Sequence, residues 1–257
     1  MNPVSKPVSE IKSLRKVHRP DSPEKQETFL KKYDFFVLID RSGSMKSPIE
    51  EGEKDTRWET VKEYLKVIVS TAVEYDPDGV EVCFFDTRVE WIDRNVESAS
   101  QVDEIFNGIG PRGVTNLADA LNQTFTRHFD RKAIRHKEKE KQKSIVIVIT
   151  DGIPFDGSSN ERAKSNVNKA IVDATNRLSK RHMFRFKDRD TKKWVRTTTE
   201  LGIRFFQVGD DKKATKYLKE LDDDLSAAKA DIVDTGDIEE LTGADGVRNA
   251  FIDAIFN

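Results

Sequence analysis

The chain is 257 residues long, 36% hydrophobic and 35% charged, with a formal net charge of −2. So balanced a charge gives no whole-chain attraction to nucleic acid or to an anionic membrane surface, and no apolar run approaches the roughly 20 residues of a membrane span. The single cysteine, Cys83, excludes an intrachain disulfide and suits a reducing compartment. Residues Met1–Lys6 offer no apolar core for a signal peptide, so a cytoplasmic location is expected.

Residues 1–28 are polar, contain Pro3, Pro7, Pro20 and Pro23, and read as a tail before a domain at 29–257. Phe35–Ile39 is a short aromatic and β-branched run, which reads as a strand buried on both faces, within about 33–40. The chain leaves that strand through Asp40-Arg41-Ser42-Gly43-Ser44. Asp40, Ser42 and Ser44 present oxygen at alternate positions, with no nitrogen or sulfur. That is the ligand set of a hard divalent cation, Mg²⁺ first, with Mn²⁺ or Ca²⁺ as alternatives. Gly43 is expected to turn the backbone tightly enough for both hydroxyls to face one point.

Farther on, Arg57–Tyr75 carries Trp58, Val61, Leu65, Ile68 and Ala72 at helical spacing. Asp76-Pro77-Asp78-Gly79 ends that helix by turn chemistry. Val80–Phe85 and Val89–Ile92 read as a hairpin, its second strand an antiparallel edge. A short helix at 100–108 precedes the glycine-rich loop Gly108–Asn116, and a helix follows to about Phe129. Residues 131–143 form a charge run rich in Lys and Arg. Ser144–Thr150 is a second fully buried strand, and it too ends in an acid, Asp151. Glu161–Lys180 is amphipathic through Ala163, Val167, Ala170, Ile171, Ala174 and Leu178. Residues 183–199 break the rhythm and read as an insertion with hairpin character. A strand at Leu201–Val208, a helix around Ala214–Leu221, a short strand at Ile232–Val233 and a helix at about 246–256 complete the chain.

Strands alternate with helices, and the central strands are apolar throughout. The expected fold is α/β: a doubly wound, mostly parallel sheet with one antiparallel edge strand. Ligands of such sheets bind beyond the carboxyl ends of the strands, where Asp40, the loop before Thr115, Asp151 and Asp210 all fall. If the strands ending in Asp40 and Asp151 are neighbours, their carboxylates lie about 5 Å apart and repel without a cation between them. Thr115 could add a third hydroxyl.

Asp40-x-Ser42-x-Ser44, Gly113-Val114-Thr115-Asn116-Leu117 and Thr150-Asp151-Gly152-Ile153-Pro154 together resemble the von Willebrand factor A (vWA) domain with a complete metal-ion-dependent adhesion site, over about 33–256. The resemblance implies the Rossmann-like vWA fold and a metal held by Asp40, Ser42, Ser44, Thr115 and Asp151. The hydroxyls would be the main ligands, and one position would stay open for a Glu or Asp carboxylate of a protein partner. Arg41, where many members carry a small or neutral residue, would add a cation beside the site. Asn116, Gly152 and Asp210 would stand at its edge.

Other chemistry is weaker. Cys83 lies among strand aromatics and reads as core. His18, His128, His136 and His182 have no zinc spacing and read as surface or structural. The loop Gly108–Gly113 lacks the lysine and hydroxyl ending of a phosphate-binding loop. Asp210 and Asp211 read first as caps of the following helix. The expected function is a non-enzymatic, cation-dependent protein-binding module with no catalytic residues. Two rivals stand beside it. One is a Mg²⁺-dependent hydrolase or phosphotransferase on the same sheet. The other is binding of an acidic partner or RNA through a basic pole opposite the metal site, formed by the insertions at about 131–143 and 183–199.

Overall fold

A computed structural model describes residues 18–49, 54–135, 143–178, 180–187 and 194–256. Its centre is β1 (Tyr33–Asp40), flanked on one side by β2 (Val80–Phe85) and on the other by β4 (Lys143–Thr150), both parallel to it. Outside β2 lies β3 (Val89–Trp91), antiparallel. Outside β4 lie β7 (Leu201–Gln207) and then β8 (Val233–Asp237), both parallel. The strand order is therefore β3-β2-β1-β4-β7-β8, a doubly wound α/β sheet whose winding reverses between β1 and β4.

The apolar runs of β1 and β4 follow from this topology, since each strand buries both of its faces. Phe35, Val37 and Ile39, with Ile145, Ile147 and Ile149, point to one side. There they meet α2 (Arg57–Ala72), α3 (Ala99–Phe106) and α7 (Gly243–Asp253). Phe36, Leu38, Val146 and Val148 point to the other side. There they meet α4 (Leu117–Arg135), α5 (Asn160–Arg177) and α6 (Lys212–Asp223). Two helical layers thus hold the strand ends at fixed register, with Asp40 opposite Phe85 and Ile39 opposite Ile149.

Two local features differ from the sequence reading. Helix α1 (Pro23–Leu30) begins within the predicted tail, 1–28, and runs into the domain, capped by the Ser22 hydroxyl with proline at its start. A Ser-Pro-Glu start is a helix signal in its own right. This helix buries Leu30 and rests the Phe29 ring on Tyr33 and Phe256. The helix expected to stop near Phe129 continues to Arg135, into the charge run, because charged residues do not break a helix; residues 136–142 lie outside the described ones.

The insertion forms a two-stranded antiparallel hairpin, β5 (Met183–Lys187) and β6 (Trp194–Thr198). Phe184 packs on Phe256, which meets Phe29 and hence the start of β1. The hairpin therefore sits at the amino-terminal pole of the parallel strands, away from Asp40. Of the expected basic pole, Lys187 and Lys143 are held in strands, but Arg189, Lys192, Lys193 and the run 136–142 lie outside the described residues. Among the described residues no helix is long and apolar enough to cross a membrane.

Gly202 shows how closely the C-terminal end is packed on the sheet. A Cβ there would lie 2.0 Å from the Ala254 carbonyl oxygen and 2.6 Å from Ile255 Cδ1. Gly202→Ala should therefore lower stability to urea by about 1–3 kcal/mol, the usual cost of overpacking. Gly110→Ala, which adds a methyl group where nothing lies within 4 Å, should change it by less than about 0.5 kcal/mol.

Candidate metal centre

Asp40 is the last residue of β1, and Asp151 follows β4 directly. Because those strands are adjacent and parallel, both carboxylates emerge at the point where the winding reverses. In doubly wound sheets this is where the diverging loops leave a crevice for ligands. Both aspartates are buried.

A chain of short hydrogen bonds builds the cluster. The Ser42 amide donates to Asp40 Oδ1 at 2.7 Å, bending the loop back over the strand end. A 3₁₀ turn over Gly43–Lys46 then brings the Ser42 and Ser44 hydroxyls within 3.0 Å. Ser44 Oγ donates to Asp151 Oδ1 at 2.9 Å. Thr150 Oγ1 donates to Asp40 Oδ2 at 2.7 Å, and Arg57 Nη1 donates to Asp151 Oδ2 at 2.8 Å. Ser44 is exposed, so the cluster opens to solvent at that hydroxyl.

Gly43 plays a smaller part than expected. A Cβ there would meet only the Gly113 carbonyl, at an ordinary 3.6 Å. Gly113 is the position that needs glycine. Its φ is +71°, and a Cβ would lie 2.5 Å from Thr87 Oγ1. The two loops are laced together by Gly43 N–H to Gly113 O at 3.2 Å and Arg112 N–H to Arg41 O at 2.7 Å. Thr115, buried in the second loop, is tied by its carbonyl to the Phe155 amide at 3.0 Å. Its loop meets the Ser42–Ser44 turn through Gly113 and Arg112, while the hydrogen bonds of the cluster itself join Asp40, Ser42, Ser44 and Asp151.

The edge residues divide. Arg41 points away: its buried guanidinium pairs with Asp86 at 2.8 Å and Glu90 at 2.8 Å, so its charge is spent between β2 and β3. Burial works to raise the Asp86 pKa, but the Arg88 amide, Arg112 and Arg41 outweigh it and hold the carboxyl below its usual value. Asn116 Oδ1 accepts from the Asp119 amide at 3.4 Å at the start of α4. The Gly152 amide reaches Thr150 Oγ1 at 3.4 Å. Asp210 is exposed, while Asp211 caps α6 by accepting from the Lys213 and Ala214 amides.

Sequence reasoning missed Arg57 and Thr150. A signal for Arg57 was present: Thr56-Arg57-Trp58-Glu59 is a capping box, which fixes Arg57 as the first helical residue. Two histidines are also brought together at the opposite pole. His182 Nδ1 lies 3.0 Å and His128 Nε2 3.8 Å from the buried Glu200 carboxylate, and His128 Nδ1 meets Ser144 Oγ at 2.8 Å. They knit the hairpin to α4 and β4, as structural residues would.

The donor set fits a hard divalent cation, being two carboxylates and hydroxyls only. Among the described residues no three His, Cys, Asp or Glu side chains converge as metal ligands, so an ion here would depend on the serine and threonine hydroxyls. Electrostatics point the same way. Burial, reinforced by the Asp151 charge, raises the Asp40 carboxyl from 3.8 to about 7, against the Ser42 and Thr150 hydrogen bonds that favour its charged form.

Residues 35–153 match the von Willebrand factor type A domain, a stretch that contains all five expected ligands but under half of the chain. No curated protein matches the sequence. Among solved structures, the PilB minor pilin from Streptococcus sanguinis is similar with a TM-score of 0.55 at 13% identity, over 86% of this chain and 60% of that one. The chain thus spans less than two thirds of the pilin's length. Manganese-loaded TRAP protein from Plasmodium vivax gives 0.49 at 18% identity, over 87% of this chain and 74% of that one. The von Willebrand factor type A structure from Catenulispora acidiphila gives 0.49 at 16%, over 86% and 42%. At these identities the likeness is one of fold, a doubly wound α/β sheet.

Asp40 has a consequence for stability. Its carboxyl holds a proton up to about pH 7 when folded and up to about 3.8 when unfolded. The folded state therefore binds the extra proton in that window, and stability falls as pH rises through it. Asp222 and Asp234, raised mainly by burial to about 6 and about 8, add slopes of the same sign. Urea unfolding in chelator should show stability declining from about pH 5 to about pH 8, and the isosteric Asp40→Asn should flatten that decline. Identical profiles for the two proteins would overturn the assignment.

Proposed function

We propose that the protein is a divalent-cation-dependent protein-binding module. The observation that carries this reading is the hydrogen-bonded chain Asp40–Ser42–Ser44–Asp151 at the reversal of the sheet, opening to solvent at Ser44. Asp40, Ser42, Ser44, Thr115 and Asp151 would hold the ion, Mg²⁺ first and Mn²⁺ or Ca²⁺ otherwise. When bound, the ion supplies positive charge to an incoming anionic group. Neutral hydroxyls leave much of that charge unsatisfied, so a Glu or Asp carboxylate of a partner is the favoured ligand.

A second feature of the same edge supports a protein ligand. Phe155 is the large apolar side chain left exposed among the described residues. Its amide bonds to the carbonyl of Thr115, one of the residues that would hold the ion. An exposed aromatic next to a charged anchor is the usual make-up of an interface hot spot. The carboxylate of a partner would meet the ion while its apolar neighbours cover Phe155.

The placement of reactive side chains supports a non-catalytic role. Cys83 is buried in β2 with its thiol pushed up by burial to about 12. His128 and His182 are engaged with Glu200 at the far pole.

Calorimetric titration should show Mg²⁺ or Mn²⁺ binding by the wild type. Thr115→Val and Asp40→Ala should each weaken it by roughly 10–100-fold, at least the cost of losing an outer partner of a metal ligand. Affinity capture with the wild type in Mg²⁺ should yield partners that are lost in EDTA, with Asp40→Ala, and with Phe155→Ala. Phe155→Ala should leave the metal titration unchanged. Partner capture identical in Mg²⁺, in EDTA and with Asp40→Ala would sink the proposal, and capture lost only at high salt would favour the basic pole instead.

A further inference from the structure

Arg57 is the side chain at the centre that an oxygen-ligand cation site does not require. The Asp151 side chain is fully buried, and a buried carboxylate needs its charge answered. Its Oδ1 accepts from Ser44, and its Oδ2 accepts from Arg57 Nη1 at 2.8 Å. Asp40 lies beside it with hydrogen bonds from the Ser42 amide and Thr150 but no cation of its own.

Three segments are shaped around that guanidinium. The capping box of Thr56 and Glu59 fixes the first turn of α2. The Arg57 amide donates to the Ser47 carbonyl at 2.9 Å, tying the turn that carries Ser42 and Ser44 to the start of this helix. The loop after β7 provides Gly209, where a Cβ would lie 2.6 Å from Arg57 Nε, 2.8 Å from Cζ and 2.9 Å from Nη2. Any side chain at 209 would push the guanidinium off Asp151.

We propose that Arg57 is a resident counter-charge for the metal centre. Its fixed positive charge neutralises Asp151 when the site holds no ion, keeps the domain folded in that state, and sets the affinity for a divalent cation low by repulsion. Arg57 is thus a positioning residue that tunes occupancy without being a ligand. The inference rests on the metal-binding reading given above. It further implies that an anionic partner, which screens this repulsion, raises the affinity for the ion, while the ion raises that for the partner.

The test uses the full chain, with Mg²⁺ and Mn²⁺ titrated calorimetrically and thermal melts recorded in EDTA. Arg57→Gln should tighten cation binding by at least roughly tenfold, the effect of one unit charge on a divalent ion about 6 Å away even at the dielectric of bulk water. It should also lower the melting temperature in EDTA. A purely structural residue would move both quantities downward. Arg57→Lys, which keeps the charge, should stay near the wild-type affinity. If the glutamine variant does not fold, Arg57→Met, with comparable reach and no charge, serves the same comparison. Affinity unchanged or weakened in the neutral variants would overturn the role of Arg57 alone. Absence of binding in wild type and variants alike would overturn the metal reading and this inference with it.

Discussion

Two buried carboxylates held at the ends of adjacent parallel strands are the constraint to which the rest of this structure answers. The packing of β1 against β4 leaves Asp40 and Asp151 no freedom to separate, since each strand is apolar on both faces and clamped between helical layers. Like charges fixed so close must be answered by protons, donors or cations. The protein uses several of these at once: the Ser42 amide, the Ser44 and Thr150 hydroxyls, the Arg57 guanidinium, and a proton on Asp40 up to about pH 7. The loops after β1 and after β7 take their shapes from delivering or admitting these groups.

That constraint also accounts for what could be read in advance. The fully apolar runs at Phe35–Ile39 and Ser144–Thr150 announced central strands, and the acids that end them announced two buried carboxylates at one sheet edge, because burial and desolvation are properties of residue type. The antiparallel edge at Val89–Trp91 and the insertion hairpin were legible for the same reason. Arg57 was not. It lies far in sequence from Asp151, and although the capping box marks it as the first residue of α2, an arginine there reads as solvated until the tertiary fold aims it inward. The role of Gly43 was misjudged because a glycine between two serines suggests a strained turn. The position that needs glycine is instead Gly113, where φ is +71° and Thr87 leaves no room for a Cβ, a contact only the fold creates. Helix α1 was hidden by proline content, although Pro23 stands at the one helical position where proline is favoured.

The two poles of the sheet divide the work. At the carboxyl pole, loops with few apolar anchors present hydroxyls, carboxylates and the exposed Phe155. At the amino pole, aromatic contacts among Phe29, Tyr33, Phe184 and Phe256 and the buried Glu200 between His128 and His182 close the structure. Rigidity at one end gives the loops at the other a fixed base, as binding sites carried on loops require.

Asp40 and Asp151 are chemically identical, yet their neighbours assign them different work. Asp151 is ion-paired, and its oxygens are held by Ser44 and Arg57. Asp40 has only neutral donors, from Ser42 and Thr150, and burial keeps its proton available near neutrality. The pair can therefore present either one negative charge or two. With Arg57 counted, the centre is neutral in the first state and singly negative in the second. A divalent cation in place of the Asp40 proton turns it net positive, the condition under which a foreign carboxylate is attracted and not repelled. The same arithmetic shows why a guanidinium belongs here. Without it the centre would have no fixed positive charge of its own, an incoming carboxylate would meet less positive charge at the loaded site, and Asp151 Oδ2 would lose its buried ion-pair partner.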